Sequence, residues 1–548
     1  MANRIVTLPG VSLITAIELL LINRASPESL PVSISPRWLG VTIAIFNLFF
    51  YIAWIVWIHP CYFHPLRNFP APKVLVLWKA YTRLKGSVPG QLFLDLANKH
   101  KNNDGILVMQ GHRSNLLLLK PAPLADVLVH HPYDFVKFDS VRDFLRPILG
   151  DGLVVVEGEQ HRFLRKNTQP AFNFRHIKEL YPMMWKKAGL LMDTLRTEAQ
   201  GKERLEMQSW ASKVTLDIIG IAGLGREFNV LKNPDDSLVT NFARLLQPSK
   251  EKFMYLLLVS MFGHRLVQLL PWNVGRTFKE TTSNIRTICR QLVRDKKVAI
   301  EKHSDHDHFD ILSLLIKSNN FSEGELVDQL LTFLAAGHET TSSIFTWTCY
   351  LLAISPKYQA ALRDEVQTAL SAANVSLPGS LHSDTDLAGI LEHLPYLNGI
   401  MHETLRLYPT VPITVRVATR DTTLMGHAIE EGTEIFIVPW ATNRYTEIWG
   451  ADAGEFKPER WIDTDQEGNK KVNHTGGAAS NYAQMTFLHG PRSCIGQNFA
   501  KAELRCLLAA LVTSFEWELG MDEKDVFPGG VITIRPANGL FVKLRPLR

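Results

Sequence analysis

The ten residues Phe487-Leu488-His489-Gly490-Pro491-Arg492-Ser493-Cys494-Ile495-Gly496 decide how the rest of the chain is read. Two glycines, an arginine and one cysteine form a loop that leads into a helical pattern beginning near Ile495. A helix N-terminus and a nearby cation both favour thiolate over thiol. Glycine lets the backbone turn tightly and approach a flat ligand closely. A lone buried cysteine is usually inert packing, so this sulfur takes its meaning from the motifs around it.

Composition narrows the choices. The chain has 548 residues, 46% hydrophobic and 21% charged, a balance normal for a globular enzyme. The net charge of +5 gives no nucleic-acid signature; it suits an acidic protein partner or an anionic membrane. The five cysteines, Cys61, Cys289, Cys349, Cys494 and Cys506, are odd in number and scattered. That argues against a disulfide framework, and no zinc spacing is present.

Leu39 to Ile58 read LGVTIAIFNLFFYIAWIVWI, with no charge and Asn47 as the one strongly polar residue. At ~1.5 Å per residue this run matches a hydrocarbon core of ~30 Å, with Trp38 at one end and Tyr51, Trp54 and Trp57 at the other as interface anchors. The expected organisation is an N-terminal segment at 1–38, a transmembrane anchor at 39–58, a proline-rich hinge at 59–75 and a catalytic body at 76–548. An earlier apolar run, Val11 to Ile22, contains Glu18; it is either signal-like or a second, interfacial helix. Arg67, Lys73 and Lys79 follow the span while Arg24 and Arg37 precede it, which places the body in the cytosol. Pro60, Pro65, Pro70 and Pro72 make the hinge stiff.

The body is expected to be mainly α with small β-sheets. Strand patterns are short: Ile106–Met109, Asn115–Leu119, Thr433–Val438, and Val531–Ile534 with Leu540–Leu544. Ser322 and Glu325 form a capping box ahead of a pattern that stops before Pro356. This helix of about 32 residues, ~48 Å long, is too apolar to lie on a surface and should cross the core. Phe253–Phe262 is apolar but too short to span; it either dips into the membrane surface or packs in the core. The stretch at 301–310 is rich in His and Asp and reads as a solvated linker.

The cysteine loop resembles the haem-binding signature F-x-x-G-x-R-x-C-x-G of the cytochrome P-450 family at every fixed position. Three other motifs resemble that family in the right order. Glu403 and Arg406 form its E-x-x-R, and Pro458-Glu459-Arg460-Trp461 its P-E-R-F, with Trp461 in place of Phe. Ala336-Gly337-His338-Glu339-Thr340-Thr341 is similar to its oxygen-binding groove. The resemblance implies the cytochrome P-450 fold behind an N-terminal transmembrane helix, haem b (iron protoporphyrin IX) as cofactor and Cys494 as the axial ligand of its iron. It also implies a structural cluster of Glu403, Arg406 and Arg460, and proton handling by Glu339 and Thr340. Gly158 to Lys166 is similar to the family's G-x-x-W-x-x-x-R, with His161 where Trp is usual. His161, Arg165, Arg416 and Arg492 are thereby implied to meet the haem propionates, the strength of the His161 contact varying with pH.

The implied activity is a monooxygenase that inserts one oxygen atom of dioxygen into a lipophilic small molecule, as in fungal secondary metabolism. The thiolate favours O–O cleavage. Gly220 to Gly225 lacks the order of a dinucleotide fingerprint, so electrons must come from a separate protein; the resemblance implies a membrane-bound NADPH-dependent reductase, which Lys501, Arg505 and the basic 162–166 stretch would dock. The expected location is the endoplasmic reticulum membrane, single-pass, in contact with lipid. Candidate pocket residues are Phe333, Ala336, Val411 to Val415 and Val531 to Ile532. Rival readings are a haem-thiolate isomerase or dehydratase that needs no dioxygen, a haem sensor or carrier, and a membrane scaffold.

Overall fold

The computed structural model describes residues 36–54, 88–109, 115–232, 273–302, 310–375, 385–530 and 532–547, with scattered positions before 88 and between 232 and 273. Most of the hinge, most of 253–262, residues 303–309 of the expected linker at 301–310, and Val531 lie outside the described residues. The principal helices are α1 (Pro36–Ala53), α2 (Gly158–Thr168), α3 (Tyr181–Gly201), α4 (Met207–Leu224), α5 (Asn273–Lys302), α6 (Glu323–Ala353), α7 (Pro395–Leu407) and α8 (Gln497–Ser514). One mixed sheet has the strand order β1 (Ile106–Met109), β2 (Asn115–Leu118), β5 (Glu434–Ile437), β4 (Thr414–Ala418), β3 (Phe135–Lys137). Only β2 and β5 pair in parallel. Phe541–Pro546 joins Phe515–Leu519 and Leu205–Glu206 in a smaller sheet. The body is thus mainly helical with small sheets.

The long helix crosses the core as its pattern requires. Ser322 Oγ accepts from Glu325 N while the Glu325 carboxylate takes Ser322 N at 2.8 Å, closing the capping box. From Thr341 to Ala353 every residue is buried, Trp347 completely. Helix α4 packs against α6 at close range. A Cβ at Gly337 would lie 3.0 Å from Ile219 Cδ1, and Thr215 Oγ1 donates to His338 O at 3.1 Å. Trp185 on α3 and the apolar face of α8 complete this core.

Helix α1 covers most of the expected span, but residues 55–57 lie outside the described residues. Among the described residues no helix is long and apolar enough to cross a membrane. The cysteines described, Cys289, Cys349, Cys494 and Cys506, are all free.

Glu403, Arg406 and Arg460, grouped by the family resemblance, lie in contact. Glu403 has no exposed surface. Its carboxylate accepts from Arg406 Nε and Nη2 at 2.8 and 2.7 Å, Arg460 Nε at 3.3 Å and the Lys457 amide at 3.1 Å. Trp461 Nε1 adds a donor at 2.9 Å, so the replacement of Phe by Trp supplies a hydrogen bond as well as a ring. Arg406 also donates to Asn443 O and Ala453 O at 2.7 and 2.6 Å. Asn443 carries the order onward: its Nδ2 meets Arg406 O and Thr486 Oγ1, and its Oδ1 takes Met485 N at 2.8 Å. Phe487 follows directly, so the cluster fixes the start of the cysteine loop. Trp461→Phe should cost about 1–2 kcal/mol, the loss of one donor to a buried carboxylate. Arg406→Leu should cost about 3–5 kcal/mol, because the buried Glu403 carboxylate loses its nearer cation and two of its donors. Chemical denaturation of both variants checks this, and equal costs would contradict it.

Candidate active site

The loop of Phe487 to Gly496 is held by its own backbone. Cys494 N donates to Phe487 O at 2.9 Å and Ser493 N to Gly490 O at 3.0 Å. Gly490 has φ +73°, and a Cβ there would come within 2.0 Å of Leu128 O. No other residue fits, so the signature glycine lets the loop press against the segment before β3. Leu488 also takes a positive φ, 55°. Helix α8 starts three residues after the cysteine, at Gln497 rather than near Ile495.

Cys494 presents an exposed side chain although the loop is closely surrounded by protein. That enclosure raises the thiol pKa, against the Gly496 amide and the Arg165 guanidinium, which lower it. Arg165 Nη1 donates to Ser493 O at 2.6 Å, tying α2 to the residue beside the cysteine.

Four basic groups gather nearby. Arg416 on β4 is buried and donates to Thr414 Oγ1 and Val415 O at 2.9 and 3.1 Å. Burial, then the adjacent Arg492, lower its pKa to about 10. Arg492 bonds Pro132 O and Glu157 Oε2, while its Nε is buried with no partner. Lys137, which the motifs did not point to, sits 3.5 Å from Glu157 Oε1, and burial brings its pKa down to about 7. Glu157 also accepts from Lys137 N at 2.9 Å. Neither Lys137 nor Glu157 carried a signal in isolation, because their meaning depends on β3 meeting the start of α2.

His161 is buried on α2, with Nδ1 3.3 Å from Tyr133 Oη. Burial first, then Lys137, lower its pKa to about 4, so the ring is neutral at physiological pH.

The groove on α6 differs in detail from a paired acid and alcohol. Thr340 Oγ1 donates back to Ala336 O at 2.6 Å, and Thr341 Oγ1 to Gly337 O at 3.0 Å. Glu339 turns toward the C-terminal segment, where its Oε1 accepts from Thr533 Oγ1 at 2.9 Å. Thr533 is in turn fixed by its neighbour. Ile534 N donates to Thr410 O at 2.9 Å, and Ile534 O accepts from Ser343 Oγ at 2.5 Å. Of the candidate pocket residues, Phe333 is buried, Ala336 and Ile532 are exposed, and Ile413 to Val415 are half-buried.

One of the basic docking candidates departs from expectation. Arg505 is buried, bonding Asn398 Oδ1 at 2.8 Å and Tyr181 Oη at 3.2 Å; it braces α8 and is not available to a partner. Arg162 and Lys166 are exposed beside an open depression of about 430 Å³ lined also by Tyr133 and Arg165.

The His161 environment sets a pH dependence. Its folded pKa lies below the ordinary 6.5, so as pH falls the unfolded chain takes up the proton first. His161 therefore contributes stability above pH 6.5 that is lost as pH falls from there toward 4. His161→Phe should remove about 3 kcal/mol of that acid loss, read as denaturation midpoints at pH 7 and 4.5. An unchanged decline would contradict the assignment.

The cytochrome P450 family profile matches residues 70–542. The cytochrome P450 monooxygenase sphH of Aspergillus fumigatus is 39% identical over 90% of this chain and 90% of its own length. The cytochrome P450 monooxygenase ptmK of Penicillium ochrochloron is 37% identical over 93% of this chain and 98% of its own. The monooxygenase ALT8 of Alternaria alternata is 37% identical over 90% of this chain and 92% of its own. With the motif order and helical body described above, these matches mean that the chain belongs to the cytochrome P450 family and is a haem-thiolate monooxygenase, an oxidoreductase.

Proposed function

We propose that this monooxygenase hydroxylates, epoxidises or repeatedly oxidises a lipophilic small molecule at a haem held by Cys494. The observation that carries this is the convergence of one exposed sulfur with a buried cationic cluster. The residues fit haem b on two grounds. Arg492 Nε is a buried donor without a partner, and Arg165, Arg416, Arg492 and Lys137 outnumber the one nearby carboxylate, Glu157. Two propionates would balance that excess. His161, neutral and beside Tyr133, would offer a ring N–H to the same carboxylates. When bound, the haem supplies the oxygen chemistry, with a thiolate ligand that favours O–O cleavage.

The chain's own part is binding, orientation and proton handling. Glu339 is the acid of the groove and Thr340 the neighbouring hydroxyl. The hydrogen bond from Thr533 holds the Glu339 carboxylate at the mouth of the C-terminal segment, where it can take protons from solvent. The apolar side chains of Phe333, Ile413 and Val415 favour a lipophilic substrate and exclude water. Electrons come from a separate NADPH reductase, docked at the exposed Arg162 and Lys166 on α2. The apolar segment of α1 anchors the chain at the endoplasmic reticulum membrane, with the body on the cytosolic side. The fungal relatives support a place in secondary-metabolite biosynthesis.

Reconstitution with an NADPH reductase tests this reading. Consumption of NADPH and dioxygen should both depend on the protein, and Glu339→Gln should slow dioxygen consumption about 100-fold. Thr340→Ala should divert reducing equivalents to hydrogen peroxide. Turnover of a candidate substrate without NADPH or dioxygen would favour the isomerase or dehydratase reading instead.

A further inference from the structure

The chain ahead of the body holds a pair of helices that the catalytic site does not use. Residues 13–18 are helical, as are 11 and 20. Along this segment Leu13, Ile14, Ile17 and Leu20 are exposed, while Val11, Thr15 and Glu18 are half-covered. On α1 the exposed large apolar side chains are Val41, Ile45, Phe46, Leu48, Phe49, Phe50 and Ile52, with Thr42 and Ala44 exposed among them. Ile43, Asn47, Tyr51 and Ala53 are half-covered, and the first three, spaced by four, share one helix face. The two covered faces meet. Asn47 Nδ2 donates to Glu18 Oε2 at 2.6 Å and to Thr15 Oγ1 at 2.9 Å.

This pattern is inverted relative to a water-soluble helix pair, which buries its apolar side chains and exposes its polar ones. Here the apolar side chains face outward and the strongly polar ones face each other. In hydrocarbon that is the favourable arrangement, because an amide or carboxylate there needs an internal partner. The segment between the helices carries Arg24, Glu28, Pro27 and Pro31. Such a segment cannot run back through lipid, so the helices must be antiparallel, joined at one bilayer face.

We propose that the helical residues 13–18 pair antiparallel with α1 in the lipid bilayer, locked by Asn47 against Glu18 and Thr15. This replaces the single-pass arrangement that the sequence alone implies, and it rests on the membrane anchorage given above. Both ends of an antiparallel pair leave the bilayer on one face. The segment ahead of residue 11 therefore lies on the same side as the catalytic body.

The full chain in sealed microsomes tests this. In an antiparallel pair held at Glu18 and Asn47, Val11 lies near Tyr51. Val11→Cys with Tyr51→Cys should cross-link under a short bifunctional thiol reagent, read by retention of an N-terminal tag after cleavage at a protease site placed in 25–34. Each single cysteine variant is the control. Adding Asn47→Leu should lower the cross-linking several-fold while the chain resists alkaline carbonate extraction. In the otherwise unaltered chain, a glycosylation acceptor placed ahead of residue 11 should stay unmodified. A modified acceptor, or no cross-link in a chain that stays with the membrane, would overturn the antiparallel pair. Release of the unaltered chain by carbonate would overturn the membrane anchorage itself.

Discussion

The carboxylate of Glu403 lies in the interior with no exposed surface, and a charge there persists only if donors surround it. The protein meets that constraint with side chains from α7 and from the Pro458–Trp461 turn, and with the amide of Lys457. Arg406 is drawn in by the same charge and spends its remaining donors on the carbonyls of Asn443, Ala453 and Glu455. Those carbonyls belong to the chain that runs toward Met485 and Thr486. The position of the cysteine loop thus follows from a charge that does no chemistry, and Gly490 then lets that loop close against Leu128.

The groove helix answers a different constraint. A long apolar helix with an acid and several hydroxyls in its middle must satisfy each polar group locally or from a neighbour. Thr340, Thr341 and Ser342 bond back to their own helix, as hydroxyls in helices commonly do. Glu339 has no such route, and it reaches across to Thr533. The C-terminal segment therefore sets where the acid points.

Much of this was legible because the chemistry dictates residue types at fixed spacing. The Glu403–Arg406 contact and the Ser322 cap are local, and both are present in the structure. The parts that did not read are contacts between distant segments. Trp461 as a donor, Asn443 as the link to the loop, and Glu157 with Lys137 among the arginines all depend on which strands and turns meet. Strand β3 has only three residues, too few for an alternating pattern to stand out. Arg505 looked like a surface cation because of its place near the cysteine, but its own helix face is turned into the core.

The claim on which the account rests is that Cys494 holds the haem iron through its thiolate. The most direct measurement is the absorbance difference spectrum of the reduced protein with carbon monoxide, taken beside Cys494→Ala. The account predicts a strongly red-shifted Soret band in the native protein and its loss in the variant. Bound haem without that shift, or the same spectrum from both proteins, would contradict it.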